Sequence, residues 1–495
     1  MSNLPSPSFP SLEGKDLKDL KSVFFSGIGG HGMSVLARIL AAEGVKTAGS
    51  DIVRTPITSE LEEAGIKVFP QDGSHMEGAR VLVWSSAIEE GNPDIKKAVE
   101  TGMLLAHRSD ILSLLMRGKR SIAVSGTHGK TTTSCIASFI LLEAGKDPGW
   151  ALGSSFKTRE GAEPGWRRGG DTFVAEADES DGSFLKYAPS VCIITNSDGD
   201  HFDHYGTIEA YRDALKGFIG RSAKCVMCMD DAGNREIFKS LEAEDKRKVL
   251  GYGESAFKDL SLELRGLDEE NYARLEKIRL FPASSPVASS FTLSFKGKSI
   301  PVEMSIPGRH NDFNAAAAIL ACAELGVEPE AGAGAVSKFL GSSRRFELLG
   351  EEKGVKLFTD YGHHPAEIAA FLSALKSSYP SSPIGVMFEP FNSSRVVQFA
   401  AGFAKSLSLA DKVVLAPLFK GRATAQDALG VSSEDIEKEA QKIGEGRKFE
   451  VVKNLEDGSK ILASWAQPES VLATIGAGMI SRANPEILNL LREKR

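Results

Sequence analysis

Residues 126–133 read Gly-Thr-His-Gly-Lys-Thr-Thr-Thr and lie between the apolar run Ser121–Ser125 and a helix predicted from about Thr132 to Glu143. A strand that enters a helix through a glycine turn presents backbone N–H groups to an anion, and lysine and threonine add a cation and an Mg²⁺ ligand. Only two residues separate the glycines, which departs from the usual spacing. We nevertheless predict that this P-loop (residues 126–131) and its helix bind a nucleotide, through Gly126, Thr127, His128, Gly129, Lys130, Thr131 and Thr132.

A second glycine turn lies near the start of the chain. Gly27, Gly29 and Gly32 follow the β-rich run Ser22–Ser26, and the acidic residue Asp51 comes 19 residues after Gly32. This order of strand, glycine turn, helix and acidic residue is typical of a pyrophosphate site at a helix N-terminus. The pattern does not distinguish NAD or FAD from a UDP-sugar, and taken alone it favours a dehydrogenase. Residues 27–32 are called the glycine loop below.

Carboxylates follow two later predicted strands of the block that contains the P-loop. Residues 176–181, Glu-Ala-Asp-Glu-Ser-Asp, come directly after the strand Thr172–Ala175 and are called the acidic loop below. Carboxylates at a strand end beside a P-loop can hold the Mg²⁺ that accompanies ATP. Asn196, Asp200 and His201 follow the strand Val191–Thr195 and suit a second Mg²⁺ or the orientation of a phosphoryl group.

Polar clusters also occur near the end of this block and beyond it. They are Gly308–Asn311, the pair Arg344 and Arg345, the run Asp360–Pro365, and Arg395 at a predicted strand end. Arginine beside a triphosphate neutralises charge through forked hydrogen bonds, and Arg395 could bind a carboxylate in the same way.

Length and composition set the organisation. The 495 residues predict about three domains, and alternating strands and helices predict an α/β fold with mostly parallel sheets. We expect a flexible tail over 1–16 and domains over 17–117, 118–335 and 336–495.

A net charge of −7 argues against nucleic acid as a partner, and five cysteines make no disulfide framework. With no apolar stretch long enough to span a bilayer, we expect a cytoplasmic protein without membrane insertion.

The motifs in order resemble the Mur ligase family over about residues 20–480. The matching segments are GIGGHGMS at 27–34, GSD at 49–51, SSAI at 85–88, GTHGKTTT at 126–133, EADESD at 176–181, TN…DH at 195–201, PGRHN at 307–311, RRF at 344–346, DYGHHP at 360–365 and GAG at 476–478. The resemblance implies a Rossmann-like UDP-sugar domain, a central ATPase and a C-terminal Rossmann-like domain that binds an amino acid. It implies that ATP activates the carboxylate of UDP-N-acetylmuramate as an acyl phosphate, which L-alanine attacks, in peptidoglycan precursor synthesis.

The resemblance also implies residue roles. Lys130 bridges phosphates, Thr131 and Glu176 bind Mg²⁺ (or Mn²⁺), and His201 serves a second metal. Asn311 contacts adenine, Arg345 the phosphates and Asp360 the ribose. His363 and Arg395 face the acyl centre and the incoming alanine. The sugar nucleotide is expected at Gly27, Gly29, Gly30, His31, Gly32, Met33, Asp51, Ser86 and Asn196.

Some alternatives stay open. The family's FQPH-type run is replaced here by Phe388-Glu389-Pro390-Phe391, a change on the side expected to bind the amino acid. A recycling ligase that joins a whole tripeptide to UDP-N-acetylmuramate is therefore the nearest rival. An NAD-dependent dehydrogenase would leave the P-loop and the carboxylate clusters unexplained. A regulatory ATP-binding protein without ligase activity is a third alternative. We expect a monomer or a weak homodimer.

Overall fold

The computed structural model describes residues 6–7, 11–89, 91–199, 202–420, 430–443 and 449–494. The chain divides into two compact units. The first unit comprises Met1–Glu276, Thr292–Val302 and Phe313–Ser337, and the second comprises Lys277–Phe291, Glu303–Asp312 and Lys338–Arg495. Most of the first two predicted domains therefore lies in the first unit. Residues 277–291 and 303–312, which we expected in the central domain, cluster with the C-terminal part.

The first sheet has five parallel strands in the order β3-β2-β1-β4-β5. Its elements are β1 (Ser22–Ser26), α1 (His31–Ala42), β2 (Lys46–Asp51), α2 (Pro56–Glu63), β3 (Lys67–Pro70), β4 (Val81–Trp84), α3 (Pro93–Glu100), β5 (Leu104–His107) and α4 (Arg108–Met116). The strand order reverses beside β1, so the glycine loop after β1 lies at the switch point where open α/β sheets bind ligands. The predicted doubly wound sheet is confirmed.

The second sheet belongs to the P-loop segment and has ten strands in the order β10-β7-β11-β6-β12-β13-β14-β15-β16-β17. The strands from here to the end of this sheet are β6 (Arg120–Ser125), β7 (Pro148–Ala151), β8 (Phe156–Thr158), β9 (Gly161–Glu163), β10 (Trp166–Arg167), β11 (Thr172–Glu176), β12 (Val191–Ile194), β13 (Lys224–Cys228), β14 (Val249–Gly253), β15 (Tyr272–Leu280), β16 (Ser289–Phe295) and β17 (Lys298–Met304), of which β8 and β9 form a separate hairpin. β6 pairs in parallel with both β11 and β12. The P-loop, the acidic loop and Asn196 therefore emerge at one edge.

Helices accompany these strands. They are α5 (Lys130–Glu143), α6 (Phe202–Tyr205), α7 (Ile208–Arg221), α8 (Ala232–Ser240), α9 (Ala243–Lys246), α10 (Phe257–Leu260), α11 (Arg309–Glu324) and α12 (Pro329–Val336). The helix predicted from Thr132 begins two residues earlier, at Lys130, because Gly129 adopts a left-handed conformation and ends the turn there. None of the described helices combines the length and apolar character that crossing a bilayer would need.

The third sheet lies in the second unit, with the order β18-β19-β23-β20-β21-β22. Its elements are β18 (Glu347–Glu352), β19 (Val355–Asp360), α13 (Pro365–Ser378), β20 (Ile384–Phe388), α14 (Ser393–Leu407), β21 (Lys412–Leu415), α15 (Ser433–Ile443), β22 (Glu450–Val451), α16 (Leu455–Trp465), β23 (Val471–Ile475) and α17 (Asn484–Glu493). Only β18 runs antiparallel to its neighbour. The second open α/β sheet predicted from the sequence is confirmed.

The N-terminal segment differs from the prediction of a flexible tail over 1–16. Leu12 is 2% exposed and belongs to the core of the first unit. The N–H of Ser11 donates to Asp110 at 3.2 Å, and Arg117 donates to the carbonyl of Lys15. The packed part of the chain therefore begins before residue 17.

Candidate active site

Glycine is required at two positions of the P-loop. Gly126 and Gly129 have φ angles of +121° and +84°. A Cβ on Gly126 would lie 2.8 Å from the carbonyl oxygen of Asn196, and one on Gly129 would lie 2.6 Å from Asn314 Oδ1. Any larger residue at these positions would displace the loop. With glycine there, the backbone N–H groups of the loop and the N-terminus of α5 can approach an anion closely.

Lys130 is held inside the loop by three acceptors. Its ammonium donates to the carbonyls of Gly126 at 2.7 Å and Thr127 at 3.3 Å, and to Glu179 Oε1 at 2.9 Å. Glu179 is fully buried. Burial acts to lower the pKa of Lys130, but the carboxylates of Glu179, Asp178 and Glu176 outweigh it and raise that pKa. The lysine is therefore a fixed positive charge within the P-loop.

Thr131 and Glu176 converge on one point of the structure. A Cβ placed on Gly153 would lie 2.6 Å from Glu176 Oε2 and 2.9 Å from Thr131 Oγ1. The N–H of Gly153 donates to the same Glu176 oxygen at 3.1 Å. A hydroxyl and a carboxylate that face one small space beside a phosphate-binding loop are the oxygen donors that Mg²⁺ prefers. These two residues fit the metal expected here.

Other residues predicted around the P-loop hold its backbone. Asn196 Oδ1 accepts from the N–H of His128 at 2.9 Å, and its amide donates to the His128 carbonyl at 3.0 Å. Thr127 donates to the carbonyl of Asp198. Thr132 is buried at 7% exposure on the first turn of α5. Asn196 thus shapes the loop, whereas the sequence suggested a substrate contact.

His201, predicted as a ligand of a second metal, lies outside the described residues, as does Asp200. Two residues without a predicted role do contribute to the described site. Glu179 pairs with Lys130, and Asn314 accepts from Thr133 at 3.1 Å and packs on Gly129. The spacing of Glu179 from Glu176 on the acidic loop could have indicated the first, but no local pattern indicates the second.

The glycine loop is closed by Asp51. Asp51 Oδ2 accepts from the N–H of Gly29 at 2.8 Å, and a Cβ on Gly29 would lie 2.8 Å from that oxygen. Gly30 is the N-cap of α1, and His31 Nε2 lies 3.3 Å from the carbonyl of Leu152. The remaining predicted sugar-nucleotide residues here are Gly27, with φ of +74°, Gly32 and the buried Met33.

Two predicted residues of the second unit, Arg345 and His363, bond to Glu367. Arg345 donates to Glu367 at 3.5 Å, and its guanidinium lies 5.0 Å from the centre of the Tyr361 ring. The N–H of His363 donates to Glu367 at 2.9 Å. Asn311 donates to the carbonyl of Pro307 at 2.7 Å.

Glu389 lies in the run that replaces the family's FQPH-type sequence, and Arg395 follows six residues later. Arg395 is 8% exposed and lies 5.9 Å from the centre of the Phe391 ring, which stacks on Phe419. Glu389 is 3% exposed and accepts from the N–H of Ile480 at 3.1 Å. Burial raises the pKa of Glu389. Glu389 therefore links the 476–480 turn to the end of β20, because its carboxylate accepts a hydrogen bond from a backbone N–H of that turn.

The burial of Asp360 is expected to make the free energy of unfolding depend on pH. Its carboxylate accepts from the N–H groups of Phe346 at 2.9 Å and Gly362 at 2.8 Å, and burial raises its pKa to about 6. The folded chain therefore binds this proton more tightly than the unfolded chain, so the free energy of unfolding falls as pH rises from about 4 to about 6. Relative to Asp360→Asn, the wild type should gain up to about 3 kcal/mol between pH 7 and pH 4.

Denaturant unfolding of both proteins at pH 4, 5, 6 and 7 measures this difference. The lost acceptor in Asp360→Asn adds an offset that does not vary with pH. Parallel pH profiles for the two proteins would contradict the raised pKa.

Family models match the three sheet-forming segments in order. The Mur ligase catalytic domain matches residues 22–120, the Mur ligase middle domain residues 124–322, and the Mur ligase glutamate ligase domain residues 344–478. The chain is 40% identical to the UDP-N-acetylmuramate–L-alanine ligase of Bifidobacterium adolescentis, over 96% of this chain and 94% of that one.

Two solved structures share the fold. One is the UDP-N-acetylmuramate–alanine ligase of Thermotoga maritima, with a TM-score of 0.76 and 24% identity over 94% of this chain and 98% of that one. The other is a murein peptide ligase of Psychrobacter arcticus, with a TM-score of 0.69 and 23% identity over 96% and 99%. Together with the identity to the Bifidobacterium enzyme and the three matching models, this shows that the chain belongs to the Mur ligase family.

Proposed function

We propose that this chain is an ATP-dependent ligase that joins L-alanine to the carboxylate of UDP-N-acetylmuramate, in the synthesis of peptidoglycan precursors. The observation that carries the proposal is the convergence of Lys130, Thr131 and Glu176 around the P-loop. It is supported by 40% identity, over 96% of the chain, to a ligase named for that reaction. Family membership also removes the dehydrogenase interpretation of the glycine loop.

The chemistry requires activation of a poor acylating agent. A carboxylate oxygen attacks the γ-phosphorus of ATP, and ADP leaves, giving an acyl phosphate. The amine of L-alanine then attacks the acyl carbon, loses a proton, and expels inorganic phosphate as the amide forms. The protein contributes to both steps by positioning the reactants and stabilising the charge that develops.

The P-loop residues supply that stabilisation in the first unit. Lys130 supplies a fixed positive charge to the phosphate oxygens of ATP, and the N–H groups of the loop and of α5 bind those oxygens. Thr131 and Glu176 would hold Mg²⁺ or Mn²⁺, which when bound neutralises charge on the phosphates. The glycine loop binds the pyrophosphate of the sugar nucleotide through backbone N–H groups.

The residues of the second unit take the remaining roles in this proposal. Asn311 contacts the adenine, Asp360 the ribose and Arg345 the phosphates. His363 and Arg395 face the acyl centre and the carboxylate of L-alanine. The burial of Arg395 favours a clamp on a carboxylate, because hydrogen bonds between charged groups are stronger where water is largely excluded.

Phosphate release tests the amino-acid specificity. With ATP, Mg²⁺ and UDP-N-acetylmuramate present, we expect L-alanine to support phosphate release and the recycling tripeptide to support none. The interpretation as a tripeptide ligase rested on Glu389-Pro390. Glu389 accepts a hydrogen bond from the N–H of Ile480, which gives this residue a structural role. Reactions that omit either UDP-N-acetylmuramate or the amino acid are the controls. Activity with the tripeptide alone would overturn the assignment.

A further inference from the structure

Two consecutive residues at the junction of β5 and α4 lie against the acidic loop. The Nη2 of Arg108 donates to Asp178 Oδ2 at 2.8 Å. The preceding residue, His107, is fully buried at the end of β5, and its Nε2 lies 3.5 Å from Asp181 Oδ2. The segment that carries the sugar-nucleotide glycine loop therefore contacts the loop that carries Glu176.

Ser86 completes this contact. Its hydroxyl donates to Asp181 Oδ2 and lies 3.2 Å from His107 Nε2. The His107 Nδ1 lies 2.8 Å from the hydroxyl of Ser109, which fixes the ring from its other side. Ser86, predicted from the sequence as a substrate residue, is thus engaged with the acidic loop.

Each of the four carboxylates of the acidic loop accepts a hydrogen bond from a residue outside that loop. Glu176 accepts from the N–H of Gly153, Glu179 from Lys130, Asp178 from Arg108 and Asp181 from Ser86. The first two bonds tie the loop to the second sheet. The last two tie it to the first sheet.

Arg108 also faces the glycine loop. Its Nη1 lies 3.8 Å from the position that a Cβ on Gly32 would occupy. One guanidinium group therefore spans from the expected pyrophosphate site to Asp178, which is two residues from the metal ligand Glu176. A planar fork with five donors is suited to hold two elements at a fixed distance.

We infer that Arg108 is a positioning residue for the ligation reaction: through Asp178 it sets the acidic loop, and with it Glu176, against the glycine loop. This inference rests on the proposed function. It assigns no contact with substrate to Arg108, and it predicts that metal use at Glu176 depends on a side chain from another sheet.

Arg108→Ala tests the inference through metal binding as well as rate. The first readout is the Mg²⁺ concentration that gives half of the thermal stabilisation by ADP. We expect this concentration to rise about 10-fold and kcat to fall about 10- to 100-fold, the usual effect of removing a partner that orients a metal ligand. Arg108→Lys should recover part of both. Asp178→Asn should match Arg108→Ala, and the double variant should be no worse than either single change.

Arg168→Ala is the matched control. Arg168 forms another ion pair between the same two parts of the chain, with Glu43 at 3.2 Å, and neither residue belongs to the acidic loop. It should leave the Mg²⁺ requirement unchanged. A lower melting temperature with an unchanged Mg²⁺ requirement in Arg108→Ala, or additive effects in the double variant, would overturn the inference. Failure of the wild type to ligate L-alanine would instead overturn the proposed function, because the thermal readout needs no ligation.

Discussion

In a chain that also carries Glu179→Gln, replacing Lys130 by alanine is expected to lower kcat for phosphate release by about 10³-fold relative to Glu179→Gln alone. UDP-N-acetylmuramate should still bind. Lys130 is the fixed cation of the P-loop, and its removal leaves the charge on the transferred phosphoryl group without a preorganised partner. The sugar nucleotide is expected at the glycine loop after β1, which belongs to a different sheet. Phosphate-release kinetics and calorimetric titration with UDP-N-acetylmuramate measure the two effects separately.

The second substitution is needed because Glu179 is fully buried and paired with Lys130 at 2.9 Å. Removing one partner of a buried pair costs about 3–5 kcal/mol, since it leaves a charge without compensation. Glu179→Gln alone, which keeps Lys130, is the control for folding. If the double variant ligated within 10-fold of Glu179→Gln, or lost sugar-nucleotide binding as well, the assignment of Lys130 would be wrong.

Gly153→Ala is expected to raise the Mg²⁺ concentration needed for half-maximal activity by about 10- to 100-fold. The added methyl group would lie 2.6 Å from Glu176 Oε2 and 2.9 Å from Thr131 Oγ1, so it occupies the space between the two expected metal ligands. The backbone of Gly153 is not left-handed, so alanine adds no conformational strain there. Rates measured over a range of Mg²⁺ concentrations, at saturating ATP, give the shift.

Gly334→Ala is the control for this prediction. Gly334 lies on α12, and a Cβ there would meet no atom within 4 Å. This variant should keep the wild-type Mg²⁺ requirement. An unchanged Mg²⁺ requirement in a folded Gly153→Ala protein would show that the ion does not bind between Thr131 and Glu176.

The three sheets and the P-loop could be predicted because their signals are local. A β-rich run followed by a glycine turn and an apolar helix specifies β6, the P-loop and α5 within about 20 residues. The same holds for β1, the glycine loop and α1. The assignment of residues 277–291 and 303–312 to the second unit could not be predicted, because it depends on packing against segments distant in sequence.

The supporting side chains of the site were harder to predict for the same reason. The bond from Thr133 to Asn314 joins residues 181 positions apart, and the bond from Ser86 to Asp181 joins residues 95 positions apart. Motif spacing identifies residue types that can bind ligands, but Asn196 and Asp51 show that such residues can instead bond to the loop itself. Only the fold distinguishes the two uses.

The most direct test of the account follows an oxygen atom. UDP-N-acetylmuramate labelled with ¹⁸O in its carboxylate is incubated with the protein, ATP, Mg²⁺ and L-alanine, and the products are analysed by mass spectrometry. If the carboxylate is activated as an acyl phosphate, one ¹⁸O atom appears in the released phosphate and the other remains in the new amide of UDP-N-acetylmuramoyl-L-alanine. Phosphate without label, or no alanine adduct, would contradict the proposed ligase reaction.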